Sequence, residues 1–178
     1  MRISRSKWVL LSLLLLLVNG CMSFSDRSFR PVIREISAQI PNLNLRKEFA
    51  LSIGSVMFNV IDAITVGSDF DFSSIDKVQI AVYEVDFSAD LRKLNVEKAL
   101  MARDPSLSWQ TVIKIREERE YTWIVMGINE NRASIEAVSI LVMGQGELVL
   151  INVNGDLEKI IEFAFEPVKG KKGVIKFS

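Results

Sequence analysis

Few side chains in this sequence could do covalent or acid–base chemistry. There is no histidine and only one cysteine, Cys21. Without an imidazole, Ser-His-Asp and Cys-His nucleophilic catalysis are excluded, and so are the usual zinc ligand sets. Carboxylates are the remaining route. Glu84, Asp86 and Asp90 lie close together in sequence, and two of them could serve as acid and base across a glycosidic bond. They equally suit a strand end entering solvent, with Asp90 in the first turn of a helix, where the macrodipole favours negative charge. Asp69, Asp71 and Ser73 alternate as in a calcium loop, but Ser74 replaces the required glycine and Ile80 the bidentate glutamate. No GxGxxG or GxxxxGK[ST] phosphate loop is present, and Gly144-Gln145-Gly146 reads as a β-turn. A serine–lysine pair on Lys114 or Lys159 has no spacing to support it. These residues imply no metal, no cofactor and no catalytic machinery.

Two further clusters bear on recognition. Arg116-Glu117-Glu118-Arg119-Glu120 alternates in sign, as a solvated hairpin turn or a partner-contacting tip would. Trp109, Tyr121 and Trp123 gather around the same hairpin. Aromatics mark binding hot spots, and in a sheet they also form cross-strand core pairs.

The chemistry of Cys21 is covalent modification. Arg2, Arg5 and Lys7 precede an apolar run from Trp8 to Val18, and Val18-Asn19-Gly20 leads into Cys21. A basic start, a short apolar stretch and a small-residue cut site, in that order, make an export signal. The run is well short of the ~20 residues a spanning helix needs. The expectation is cleavage between Gly20 and Cys21 with lipid on the Cys21 thiol. Each buried methylene contributes about 0.8 kcal/mol, and two acyl chains hold a protein on its membrane. No second cysteine exists for a disulfide.

Loss of residues 1–20 takes away Arg2, Arg5 and Lys7, so the net charge falls from zero to −3. Nothing in that balance suits nucleic acid or an anionic lipid surface. Residues 21–30 read as a lipidated cysteine with a short tether, 31–167 as a single domain and 168–178 as a basic tail. A chain this long can bury ~70% of its unfolded surface without covalent staples.

Apolar spacing sets the elements. Pro31–Ile40 has helical spacing, stopped by Pro41. Lys47–Ile53 alternates as a strand, and Val56 to Ile64 recurs at helical spacing. Lys77–Asp86 is apolar on both faces, the mark of a central strand. Ser88–Arg103 reads as an amphipathic helix capped by Ser88 and stopped at Asp104-Pro105. Trp109–Glu117, Tyr121–Ile128, Ser134–Met143 and Glu147–Asn152 form a meander with short turns. Leu157–Phe165 closes as a helix, and Val174–Phe177 is a weak edge-strand signal. The order β-α-β-α-β-β-β-β-α implies an α+β fold: a mostly antiparallel or mixed sheet of five to six strands, with about three helices on one face.

Three segments, LRKEFALSIGS (Leu45–Ser55), VQIAVYEVD (Val78–Asp86) and GELVLINVNGDLEKIIEFA (Gly146–Ala164), resemble an uncharacterised family of small bacterial lipoproteins carrying a domain of unknown function. The Arg116–Asn131 meander fits the same template, and the resemblance runs from about Pro31 to Phe165. It implies a role for one residue, the lipid attachment at Cys21. Resemblance to Gram-negative lipoproteins implies that Met22, not being aspartate, permits transfer to the outer membrane. The expectation is an exported protein, held on the cell envelope by its lipid, that binds an envelope protein. A carboxylate-dependent glycan enzyme or binder centred on Glu84, Asp86 and Asp90, and a small-ligand or lipid carrier, are the alternatives.

Overall fold

The computed structural model describes residues 22–40, 42–64, 72–85, 91–118, 120–144, 146–158 and 161. Its elements run β1 (Met22–Ser23), α1 (Arg30–Gln39), β2 (Leu45–Gly54), α2 (Ser55–Ile64), β3 (Ile75–Val85), α3 (Val96–Met101), β4 (Ser108–Glu117), β5 (Glu120–Asn129), β6 (Ser134–Gly144) and β7 (Glu147–Gly155), with 3-10 turns at Phe72–Ser74 and Leu91–Lys93. All seven strands join one sheet in the order β1-β2-β3-β7-β6-β5-β4, and every neighbouring pair is antiparallel.

This corrects the α+β expectation of five to six strands. The protein is mostly β, with strand outweighing helix about two to one. Two local causes are visible. The helix expected from Ser88 begins only at Asn95, whose Oδ1 accepts from the Lys98 amide at 2.8 Å. That cap leaves α3 six residues long. At the other end, Met22 and Ser23 pair with Ile53 and Ser52, so part of the expected tether is strand. Phe29, in the same segment, is buried in the core. Of the expected C-terminal helix, Ile161 donates its amide to the Leu157 carbonyl (2.9 Å); the rest, and Val174–Phe177, lie outside the described residues.

One face of the sheet holds the main core. Inward positions alternate as Ala81, Tyr83 and Val85 on β3, Leu148 and Leu150 on β7, Ala137, Leu141 and Met143 on β6, and Tyr121, Trp123 and Val125 on β5. Over them lie α1, through Val32 and Ile36, and α3, through Val96, Ala99 and Leu100. Pro31 in the first turn suits α1, since no intrahelical bond needs its missing N–H. The two helices are joined by a reciprocal pair: Gln39 Nε2 donates to the Asn95 carbonyl (3.0 Å), and the Asn95 amide donates to Gln39 Oε1 (2.7 Å). Lys98 reaches Glu35 at 2.7 Å and pulls its carboxyl below the usual range. Among the described side chains of α2, the helix that follows β2, none belongs to this core, and Phe58 is buried outside it.

Candidate functional site

Several sequence candidates, namely Gly20, Cys21, Asp69, Asp71, Asp86, Asp90 and Lys159, lie outside the described residues. Glu84 lies on β3 between Arg46 of β2 and Glu147 of β7. Its carboxylate accepts from the Arg46 guanidinium, which Glu84 holds above the usual arginine value. Glu84 is exposed and already paired. A general acid is instead kept protonated by burial in an apolar setting. Trp109, Tyr121 and Trp123 are core residues; Tyr121 and Trp123 stack with centroids 5.5 Å apart. Lys114 lies over the Trp123 ring (5.9 Å) and Arg116 over the Tyr121 ring (5.5 Å).

A polar chain that the sequence did not announce crosses the core face. The Arg103 guanidinium lies 5.3 Å over the Phe29 ring. Its Nη2 donates to Gln79 Oε1 (2.8 Å) and Asn154 Oδ1 (3.2 Å), while Nη1 is buried without a partner among the described residues. Burial pushes this group down to about 10, and nearby Asp104 opposes the effect only in part. Gln79 Nε2 donates to Ser28 Oγ, Asn152 Nδ2 to Asn154 Oδ1, and Ser139 Oγ to Asn152 Oδ1, each at 2.5 Å. The acceptors are neutral amides and hydroxyls. They hold a cation but offer no nucleophile with an adjacent base. The available signal was polar residues at inward strand positions: Gln79, Ser139 and Asn152 replace aliphatics on three adjacent strands.

Beside this chain, a cleft of about 510 Å³ is lined by Asp76, Asp104, Glu136, Asp156 and Glu158, with Arg132 as the one cation among the described residues that line it. Glu136 Oε1 is already occupied by Asn129 Nδ2 (3.0 Å), Arg132 Nη1 (3.2 Å) and Ser134 Oγ (3.4 Å). Asp104 Oδ1 is occupied by the Ser106 amide and hydroxyl. Among the described residues, no three acidic side chains converge to hold a metal ion.

The opposite face of the sheet is largely apolar. Register places Ile53, Val78, Val153, Val138 and Met126 in one cross-strand row. Leu51, Ile80, Ile151, Ile140, Ile124 and Ile113 form a second, and Phe49, Val82, Val149, Val142, Thr122 and Ile115 a third. Bulges at Glu48 and Val112 keep the edge strands in phase with these rows. The row residues of β3, β5, β6 and β7 are only half-buried, while their inward neighbours are buried. At the flanks Phe49, Ile113 and Ile115 are 44%, 44% and 45% exposed. From strand and residue spacing the rows have a footprint of roughly 500 Å², within the range of the largest apolar patch on a monomer, which is often a functional one.

No family model matches this sequence, and no curated protein matches it either.

Proposed function

We propose that this protein is a lipid-anchored module of the bacterial envelope that binds another protein through the apolar face of its sheet and performs no chemistry of its own. The observation that carries the reading is the set of three aliphatic rows left half-open across the sheet. Water contact with such a surface is unfavourable at about 25 cal/mol per Å². A partner that covers it gains that free energy, less the cost of association. Three clefts lined by described residues have mostly polar linings, which suits a lipid or small apolar ligand less well than the open sheet face suits a protein.

The anchor is part of the same reading. With lipid on Cys21, the chain enters the sheet at the next residue, Met22. The edge of the domain then lies against the bilayer, and Phe24, 70% exposed, sits where it can enter the headgroup region.

The test is photo-crosslinking in the native envelope, with a photoreactive side chain at Ile140 or Ile151. A discrete protein adduct is expected, lost when a glutamate at the other position breaks the row. Adducts to lipid alone, or none, would overturn the reading.

A further inference from the structure

We propose that the outer edge of β4, from Val112 to Glu117, takes an extended segment of a partner protein in which carboxylates alternate with aliphatic side chains. This names the partner chemistry for the protein-binding reading above and rests on it, but it uses a different surface.

Strand β4 closes one end of the sheet. Its first half is covered: the Thr111 amide donates to Glu97 Oε1 of α3 (2.8 Å), and Trp109 Nε1 donates to the Asp104 carbonyl (3.0 Å). From Val112 onward every side chain of the strand is exposed. Among the described residues no strand pairs with this side of Val112–Glu117, and an unpaired edge presents a row of backbone donors and acceptors to any extended chain.

The bulge between Thr111 and Ile113 sorts the exposed side chains by charge. Ile113 and Ile115 pair with Ile124 and Thr122 and extend the apolar face. Lys114 and Arg116 pair with Trp123 and Tyr121 on the core face. Each cation is held over a ring, which uses none of its N–H donors. Among the described residues neither has a carboxylate within ion-pair distance.

That pattern argues against a second copy as the occupant. Two β4 edges paired about a two-fold axis keep every side chain on its own face. Registers centred on residues 114, 115 or 116 therefore set Lys114 against Lys114, Lys114 against Arg116, or Arg116 against Arg116. Like charges directly opposite are unfavourable. An incoming strand with carboxylates facing Lys114 and Arg116, and aliphatics flanking Ile113 and Ile115, meets no such conflict. The cations thus both deter indiscriminate strand addition and select a partner.

The experiment titrates the full chain in detergent micelles with labelled acetyl-Thr-Val-Glu-Val-Asp-Val-Thr-amide and follows amide exchange across β4. Saturable binding with slowed exchange at 112–117 is expected. The double variant K114E/R116E should weaken it about tenfold and should instead bind the peptide with lysines in place of Glu and Asp, which also shows that the variant is folded. The proposal is overturned if both peptides bind alike, if neither binds up to about 1 mM, or if 112–117 becomes protected by raising protein concentration alone. A failure here with the Ile140 crosslink intact removes the edge proposal only; loss of the crosslink removes the protein-binding reading.

Discussion

Replacing Arg103 by methionine should cost little stability, whereas removing its acceptor should cost much more. In Arg103→Met the fold loses a bond to Gln79 Oε1 at 2.8 Å and a longer one to Asn154 Oδ1 at 3.2 Å. Bonds to a charged group contribute about 1.5–3 kcal/mol when well formed, so the pair is together worth about 3 kcal/mol. The contact with the Phe29 ring adds about 1 kcal/mol. Against this, burial has pushed the guanidinium down to about 10. That displacement corresponds to about 3 kcal/mol against the charged form, and methionine removes it while keeping much of the apolar stem. The balance is a destabilisation of about 1 kcal/mol. Gln79→Leu has no offsetting gain. It leaves the cation in place with its better acceptor gone and Nη1 already without a partner among the described residues, and breaking a buried charged contact on one side costs about 3 kcal/mol or more. The double variant should be less destabilised than the two singles added together, by about 2 kcal/mol. Urea unfolding at neutral pH measures all three, provided the dependence on denaturant is unchanged. The sign with pH is also determined. The folded value lies below the unfolded one, so the unfolded state holds more protons above about pH 10 and stability contributed by this group rises there. Below that pH the Arg103→Met effect should be flat. An Arg103→Met cost equal to that of Gln79→Leu, or strict additivity, would refute the account of a cation held against its desolvation.

Gly155 has φ +149, and a Cβ there would meet the Ser74 carbonyl oxygen at 2.1 Å, so Gly155→Ala should cost about 2–4 kcal/mol in the same unfolding assay. Tyr83 is raised by burial and by Asp26, to whose Oδ2 its hydroxyl donates at 3.3 Å. With Tyr121→Phe leaving Tyr83 as the single tyrosine, phenolate absorbance should stay absent through the usual range near 10 and appear together with unfolding. Because the folded value is the higher one, stability from this group falls as pH rises above about 10. Leu141, 1% exposed on the core face, should cost about 3 kcal/mol on replacement by alanine, while Ile140→Thr, one residue along on the open face, should cost less than about 1 kcal/mol; equal costs would mean that the outer rows are covered. Cys21→Ala should move the protein from the membrane to the soluble fraction on cell fractionation, and retention on the membrane would count against the lipid anchor.

Period-two alternation made the meander readable: β4 to β7 lie within about three residues of the expected ranges, because each strand alternates and each turn is short. Alternation did not reveal what covers each face. Val78, Ile80 and Val82 on one side of β3, and Ala81, Tyr83 and Val85 on the other, read as a central strand, and β3 lies between β2 and β7; the pattern did not show that the first set is only half-buried. The helix expected at Ser88–Arg103 failed because the amphipathic pattern continues through Asn95, whose side chain instead starts a new, shorter helix. Arg103 is the last residue of that expected helix. Its burial depends on Gln79 and Asn154, distant in sequence, which no local pattern joins to it.

The two apolar faces differ in what folding requires of them. On the core side, side chains from α1 and α3 interlock with those of β3, β5, β6 and β7 into one buried cluster. That layer is closed without help from the outer rows. An antiparallel sheet with one covered face ordinarily turns polar residues outward, and threonine would serve the strand geometry of valine equally well. Here the outward positions of β3, β6 and β7 include, between the charged Glu84, Glu136 and Glu147 at the ends of the face, Val78, Ile80, Val82, Val138, Ile140, Val142, Val149, Ile151 and Val153, aligned row by row. The surface is therefore more apolar than strand formation needs, and its register is maintained out to the edges by two bulges. The alignment continues to Ile113 and Ile115, beside the two cations of the free edge. On the proposed reading, a partner strand added to β4 would bring its own aliphatics alongside these rows, so the proposed edge site adjoins the proposed face without being part of it.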